Sequence, residues 1–327
     1  MRTPVLRLIA VALLLTFAAD TRAASAQERA NPERSLCSVT VPVPPPPGRG
    51  GGAGAPAGGR RGAAPVIPAQ PPRLVRITDD LYVVQNVNHT LAELGYFGGN
   101  SAIYLTNDGV VLVDSKSDRE HDDLVGKIRS VSDKPVKYVV LTHNHGDHTG
   151  GAAKLQEKGA TIVMSDDDRE HLARAGQPML VQLTYSGHGA IYLGGKEIRL
   201  TQYCGHTRGD TVVSFPGARA IAVGDLVAWP ESIPQIVNYP DGGSWTDTLR
   251  TLDALVALDW EFLIPGHGPV MTKQEFQAHK TRFGAVVARA RDLIKQGRSQ
   301  EEVGATLQRE FNWAPAGNLP GLMAEFR

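Results

Sequence analysis

The chain has 327 residues with 42% hydrophobic content, enough for one large domain or two with a substantial core. Lysine plus arginine and aspartate plus glutamate both total 34, and only 6% of residues are aromatic. That balance gives no basis for a polyanionic partner, so nucleic-acid binding is not expected.

At the amino terminus, Arg2 and Arg7 flank the start of a short apolar run ending at Ala19, and Ala24-Ser25-Ala26 offers small residues for cleavage. Residues 1–26 therefore read as an export signal, too short for a stable membrane span, and the expected location is periplasmic or secreted. Residues 27–72, with Pro44 to Pro47 followed by glycine, alanine and arginine, have too little apolar surface to offset ordering and read as a disordered tether. The folded domain is expected over 73–327. Cys37 and Cys204 make a disulfide possible in an oxidising compartment without implying one.

Within that domain, 81–85, 101–106 and 109–114 read as strands, with Asn107-Asp108-Gly109 turning the last two. The glycine-containing stretch 86–99 is either a flap over a site or a plain connection. A helix is predicted over 118–130, a buried strand over 136–141, a helix from 150 to 157, a strand over 161–164 and a helix over 166–174. Further strands are predicted at 196–202, 211–215 and 218–224, with a short one opening at 262. Helices are predicted over 245–258 and 273–295.

The strand at 136–141 runs into Thr142-His143-Asn144-His145-Gly146-Asp147-His148, which places four metal-competent side chains in six consecutive positions. His143 and His145 can point one way while Asp147 and His148 reach a second point nearby, with Gly146 expected to tighten the turn. His206, Asp225 and His267 each follow a predicted strand beside a glycine. If those strands run the same way, seven side chains from four loops meet at one edge of the fold. Cys204, two residues before His206, reads as a small buried residue rather than a ligand. His121, His171 and His279 fall on predicted helices and are expected to be solvated, whereas His89 and His188 lie in loops.

Together, the His143 to His148 run, Gly205-His206-Thr207 through Gly209-Asp210, Gly224-Asp225 and Pro265-Gly266-His267-Gly268 resemble the metallo-β-lactamase fold superfamily. The resemblance covers about residues 74–283 in the right order. It implies an α/β fold, a four-layer αβ/βα sandwich with the metals in the cleft between two sheets. Carried over, His143, His145 and His206 hold a first zinc, and Asp147, His148 and His267 hold a second. Asp225 bridges the two, while Asp114 supports the metal loop from behind and Asp210, in the Gly205 to Asp210 run, also stands behind the ligands.

Three neutral imidazoles plus water form the ligand set of a catalytic zinc, and a second cation joined through a carboxylate lets one hydroxide be shared. The expected activity is therefore zinc-dependent hydrolysis of a carbonyl bond (ester, lactone, thioester or amide/β-lactam) in a small molecule, with Asp147 orienting the nucleophile. True metallo-β-lactamases in the resembled family usually carry cysteine or serine where this chain has Asp225. Quorum-quenching lactonases place tyrosine where it has Ala228. Glyoxalase II adds a helical region after its last ligand, and here only 60 residues follow His267. Two alternatives remain at this stage. One is a mononuclear iron persulfide dioxygenase using His143, His206 and Asp225. The other is a non-catalytic metal-binding protein.

Overall fold

The structure is a computed structural model, and it describes residues 70–86, 97–177, 180–228, 237–313 and 319–327. The predicted export signal, nearly all of the predicted tether, Cys37 and His89 lie outside the described residues. Among the described residues, no helix is long and apolar enough to cross a membrane.

Two sheets form the centre. The first has seven strands in sequence order: β1 (Arg73–Arg76), β2 (Leu81–Gln85), β3 (Ser101–Thr106), β4 (Gly109–Val113), β5 (Val136–Val140), β6 (Thr161–Ser165) and β7 (Leu183–Tyr185). It is antiparallel up to β4 and parallel from β4 to β7. The second sheet has the order β13 (Met271–Thr272), β12 (Phe262–Ile264), β11 (Ala220–Ala222), β10 (Thr211–Phe215), β9 (Lys196–Gln202) and β8 (His188–Leu193). There β11 and β12 are parallel and the remaining pairs antiparallel, so β9, β11 and β12 share one direction.

The central strands, such as β4 and β10, are apolar on both faces because both faces are covered. On β4, Val111 and Val113 point between the sheets, while Val110 and Leu112 point outward. β5 splits the same way, with Val140 inside and Val139 outside. In the second sheet, Val213 and Phe215 face inward and Val212 outward. Three apolar layers result: one between the sheets and one under the helices on each side.

Over the first sheet lie α1 (His121–Val131), α2 (Gly146–Thr149), α3 (Ala152–Glu157) and α4 (Asp166–Arg174). Over the second lie α5 (Trp245–Ala257), α6 (Lys273–Lys295), α7 (Gln300–Phe311) and α8 (Leu319–Phe326). Leu124 and Leu155 pack under the first set, and Trp245, Phe283, Val286 and Leu322 under the second. This is the expected four-layer sandwich.

Several elements depart from the sequence reading. The helix expected from 150 begins at Ala152, and a separate short helix, Gly146–Thr149, precedes it, so Asp147 and His148 lie on a helical turn instead of a loop. The strand expected over 218–224 is only three residues long, and a 3-10 turn, Gly224–Leu226, carries Asp225.

Candidate metal centre

The strands that end together bring the candidate ligands together. Asp114 follows β4, and His143 and His145 follow β5. His206 lies past β9, Asp225 past β11 and His267 past β12. Two groups result, His143, His145, His206 and Asp225, and Asp147, His148 and His267, with the ligand atoms of each group within 4.8 Å of one another. All seven residues expected from sequence are therefore assembled at one place.

The groups meet at Asp225. Its Oδ2 lies 3.7 Å from His206 Nε2 and 4.0 Å from His143 Nε2, while its Oδ1 lies 3.2 Å from His148 Nε2 and 3.3 Å from His267 Nε2. One carboxylate thus presents an oxygen to each group. Burial raises the cost of charge on Asp225, but His267 and His148 outweigh it and hold the carboxyl well below its usual range.

Ring nitrogens also face one another at close range. His145 Nδ1 and His206 Nε2 are 3.0 Å apart, and His148 Nε2 and His267 Nε2 are 3.2 Å apart. His143 Nε2 is buried with no hydrogen-bond partner. Buried polar atoms are normally satisfied. Imidazole nitrogens and carboxylate oxygens converging in this way form a donor set suited to zinc, so the residues present fit a metal pair.

Asp114 orients much of this set. Its Oδ1 accepts the Thr142 N–H at 2.8 Å, and its Oδ2 accepts both the Thr142 hydroxyl and His148 Nδ1 at 2.8 Å. Because the Thr142 proton goes to Asp114, the Thr142 oxygen is left to accept from His143 Nδ1 at 3.1 Å. Both rings are thereby fixed with Nδ1 protonated and Nε2 turned into the cluster. Asp210, the other expected supporting residue, accepts the Thr207 N–H at 3.0 Å and its hydroxyl at 2.7 Å, bracing the loop after His206. Burial pushes its carboxyl up to about 7.

Glycine matters here at positions other than the one expected. A Cβ on Gly146 would meet nothing within 4 Å, so tightness of that turn does not require it. A Cβ on Gly266 would stand 1.9 Å from Asp225 Oδ1, and one on Gly99 would stand 2.3 Å from the His148 ring. These two glycines let backbone press against ligands.

The other histidines also need correction. His121 and His279 are buried instead of solvated, and His171 Nδ1 lies 3.2 Å from Asp241 Oδ1. His188 opens β8 and is exposed. Cys204 is buried and disulfide-bonded. Sequence reasoning missed Thr142, Asp241, Asn238 and Asp168. Asp168, whose Oδ2 lies 3.2 Å from the Thr207 hydroxyl, had a local signal: the acidic run after Ser165, whose hydroxyl caps α4 by accepting the Asp168 N–H.

A family model described as the metallo-beta-lactamase superfamily matches residues 94–267. The chain belongs to that superfamily. This member is similar to the 2,4-dinitroanisole O-demethylase subunit alpha of Nocardioides sp. (strain JS1661), 28% identical over 169 residues; the match covers 50% of this chain and half the length of that relative. It is likewise similar to a metallo-beta-lactamase type 2 of Bacillus sp. (strain 170), 28% identical over 193 residues, covering 55% of this chain and 73% of that protein. The solved metallo-beta-lactamase from Pontibacter korlensis superposes with a TM-score of 0.57 at 21% identity, over 65% of this chain and 98% of that one. That likeness concerns the fold.

Proposed function

We propose that this superfamily member is a hydrolase dependent on two zinc ions, acting on a carbonyl bond of a small molecule: an ester, lactone, thioester or amide/β-lactam. The observation that carries this reading is Asp225, whose two oxygens face two complete ligand groups. His143, His145 and His206 would hold one ion, Asp147, His148 and His267 the other, with Asp225 between them. Zinc in such a site supplies Lewis acidity and lowers the pKa of water to about 7.

Asp147 is the candidate catalytic residue. Its Oδ2 lies 3.2 Å from His267 Nε2, and its side chain is 27% exposed where His148 and His267 are essentially sealed. It is therefore the member of its group that can meet a substrate. Burial works against its ionisation, but His148 and His267 hold it well below the usual carboxylate range, so at neutral pH it acts as acceptor and orienting charge. The pattern around Arg2, Arg7 and Ala24 to Ala26 supports export to the periplasm or beyond as part of the same proposal.

Metal content of protein purified from the periplasm, with kcat/KM on a panel of esters, lactones, thioesters and a chromogenic β-lactam, tests this reading. Two zinc ions per chain and metal-restorable turnover rising through about pH 7 are expected. Asp147→Asn should lower kcat/KM by ~10–100-fold or more while leaving the fold intact. A single iron with oxygen-dependent thiol oxidation would replace the proposal with the dioxygenase reading, and metal binding without any turnover would leave a binding protein.

A further inference from the structure

We infer that Asp241 is the positioning residue of the first metal group, setting which nitrogen of His145 is offered to the metal. The inference rests on reading the cluster as a metal site. His145 differs from His143 and His148 because its Nδ1, not its Nε2, faces the cluster, 3.0 Å from His206 Nε2. A ring that binds metal through Nδ1 must carry its proton on Nε2, and that proton needs an acceptor. Asp241 Oδ2 is 3.3 Å from His145 Nε2. The Asn238 amide nitrogen also lies 2.6 Å from Nε2 and 2.7 Å from Asp241 Oδ2; as a donor it cannot take the proton, so with Nε2 protonated it must turn toward Asp241 and leave Nε2 to the carboxylate.

Asp241 is held as a hub. Its Oδ2 also accepts from Asn144 at 3.2 Å, and its Oδ1 faces His171 Nδ1 of α4 at 3.2 Å. The 3-10 turn Tyr239–Asp241 that carries it is bound to the His206 loop. Asn238 N–H donates to His206 O at 2.8 Å, Arg208 N–H to Asp241 O at 3.0 Å and Ser244 N–H to Gly205 O at 3.0 Å. A Cβ on Gly243 would stand 2.2 Å from His206 O, so this close approach requires glycine. The turn therefore fixes two ligands together: His206 through its backbone and His145 through a carboxylate.

The test titrates the chelated protein with cobalt(II) and follows its visible spectrum, beside nitrogen NMR of histidine-labelled, zinc-loaded protein. In the parent, His145 should show a protonated Nε2, and two cobalt ions should bind. Asp241→Ala, which removes the acceptor, should weaken the first-group ion by ~10–100-fold, change its cobalt spectrum and spare the second. Asp241→Glu, which keeps an acceptor, should recover part of the loss. The melting temperature of the chelated proteins separates metal positioning from folding, and His171→Ala serves as the variant that touches Asp241 without removing the acceptor. Parental affinity and spectrum in Asp241→Ala, or a loss that tracks the chelated melting temperature and is equal in His171→Ala, overturns the inference. A parent that binds no cobalt instead refutes the metal reading beneath it.

Discussion

Asp114 and Lys116 both adopt positive φ, +60° and +59°, and both point into the protein behind the metal loop. Non-glycine residues rarely adopt this conformation, which costs about 1–3 kcal/mol, so the surroundings must hold them there. For Asp114 the return is control of three groups at once. Thr142→Val, which keeps the shape but removes the acceptor for His143 Nδ1, should weaken zinc binding by ~10-fold or more with a smaller effect on the chelated fold, as read by zinc titration. Unchanged affinity would show that His143 needs no such fixing. Lys116 is sealed and donates to Gly99 O at 2.7 Å; burial pushes its ammonium down to about 8, against the opposing pull of Glu120 and Asp123. The folded protein therefore holds this proton more weakly than the unfolded chain, and stability should rise with pH between about 8 and the ordinary lysine value. Measured on chelated protein by urea unfolding, the parent should gain ~2 kcal/mol relative to Lys116→Met from about pH 8 to about pH 10. Parallel curves would contradict this. The ligands themselves were legible because His143 to His148 are contiguous and the other three each follow a strand. Asp241 was not, since its link to His145 spans 96 residues and nothing local in the sequence marks it.

At the scale of elements, the start of α5 is held from the far end of the chain. Ser244 caps it by accepting the Asp247 N–H, while the first N–H groups, Trp245 and Thr246, donate to Glu325 of α8 at 3.0 and 2.7 Å. The same carboxylate accepts the Tyr239 and Thr246 hydroxyls, so α8 also grips the turn that carries Asp241. A charged acceptor at a helix amino terminus answers both orphan donors and the helix dipole. Glu325→Ala should cost ~1–3 kcal/mol in chemical denaturation, and a loss under about 0.5 kcal/mol, typical of plain surface changes, would show the contact to be incidental. α8 and α7 went unread in the sequence for different reasons. α8 is short and defined by its docking, whereas α7 carries a Ser299 and Glu302 capping box that the pattern around residue 299 already displayed. β7 and β8 were missed because β7 is short and mostly exposed and β8 has only Ile191 buried, even though Gly194-Gly195 marks the β8–β9 turn. Long apolar strands such as β4 and β10 were plain because both of their faces are buried.

Across the whole molecule, the inner apolar layer and the metal cluster lie between the same two sheets. Phe215 of the second sheet packs on Tyr104 of the first with ring centroids 4.8 Å apart, and the ligands divide likewise: His143, His145, Asp147 and His148 follow first-sheet strands, while His206, Asp225 and His267 follow second-sheet strands. Neither sheet can leave without exposing the inner layer and dismantling both ligand groups, so unfolding of the domain should be one cooperative event that includes loss of metal. Two consequences can be measured together. Phe215→Ala removes a fully buried ring and should cost ~3–5 kcal/mol. If zinc is the ion held by the folded state, adding it should raise the melting temperature of chelated protein by an amount equivalent to ~2.7 kcal/mol at about 100 times its dissociation constant. Because Phe215 is not among the ligands, the increment should be nearly the same in Phe215→Ala, the two effects adding within ~0.5 kcal/mol. Calorimetry with and without zinc on both proteins decides the matter. A single transition that moves additively supports one unit bridged by its metals, whereas a first transition insensitive to zinc would show that one sheet with its helices unfolds while the cluster stays bound.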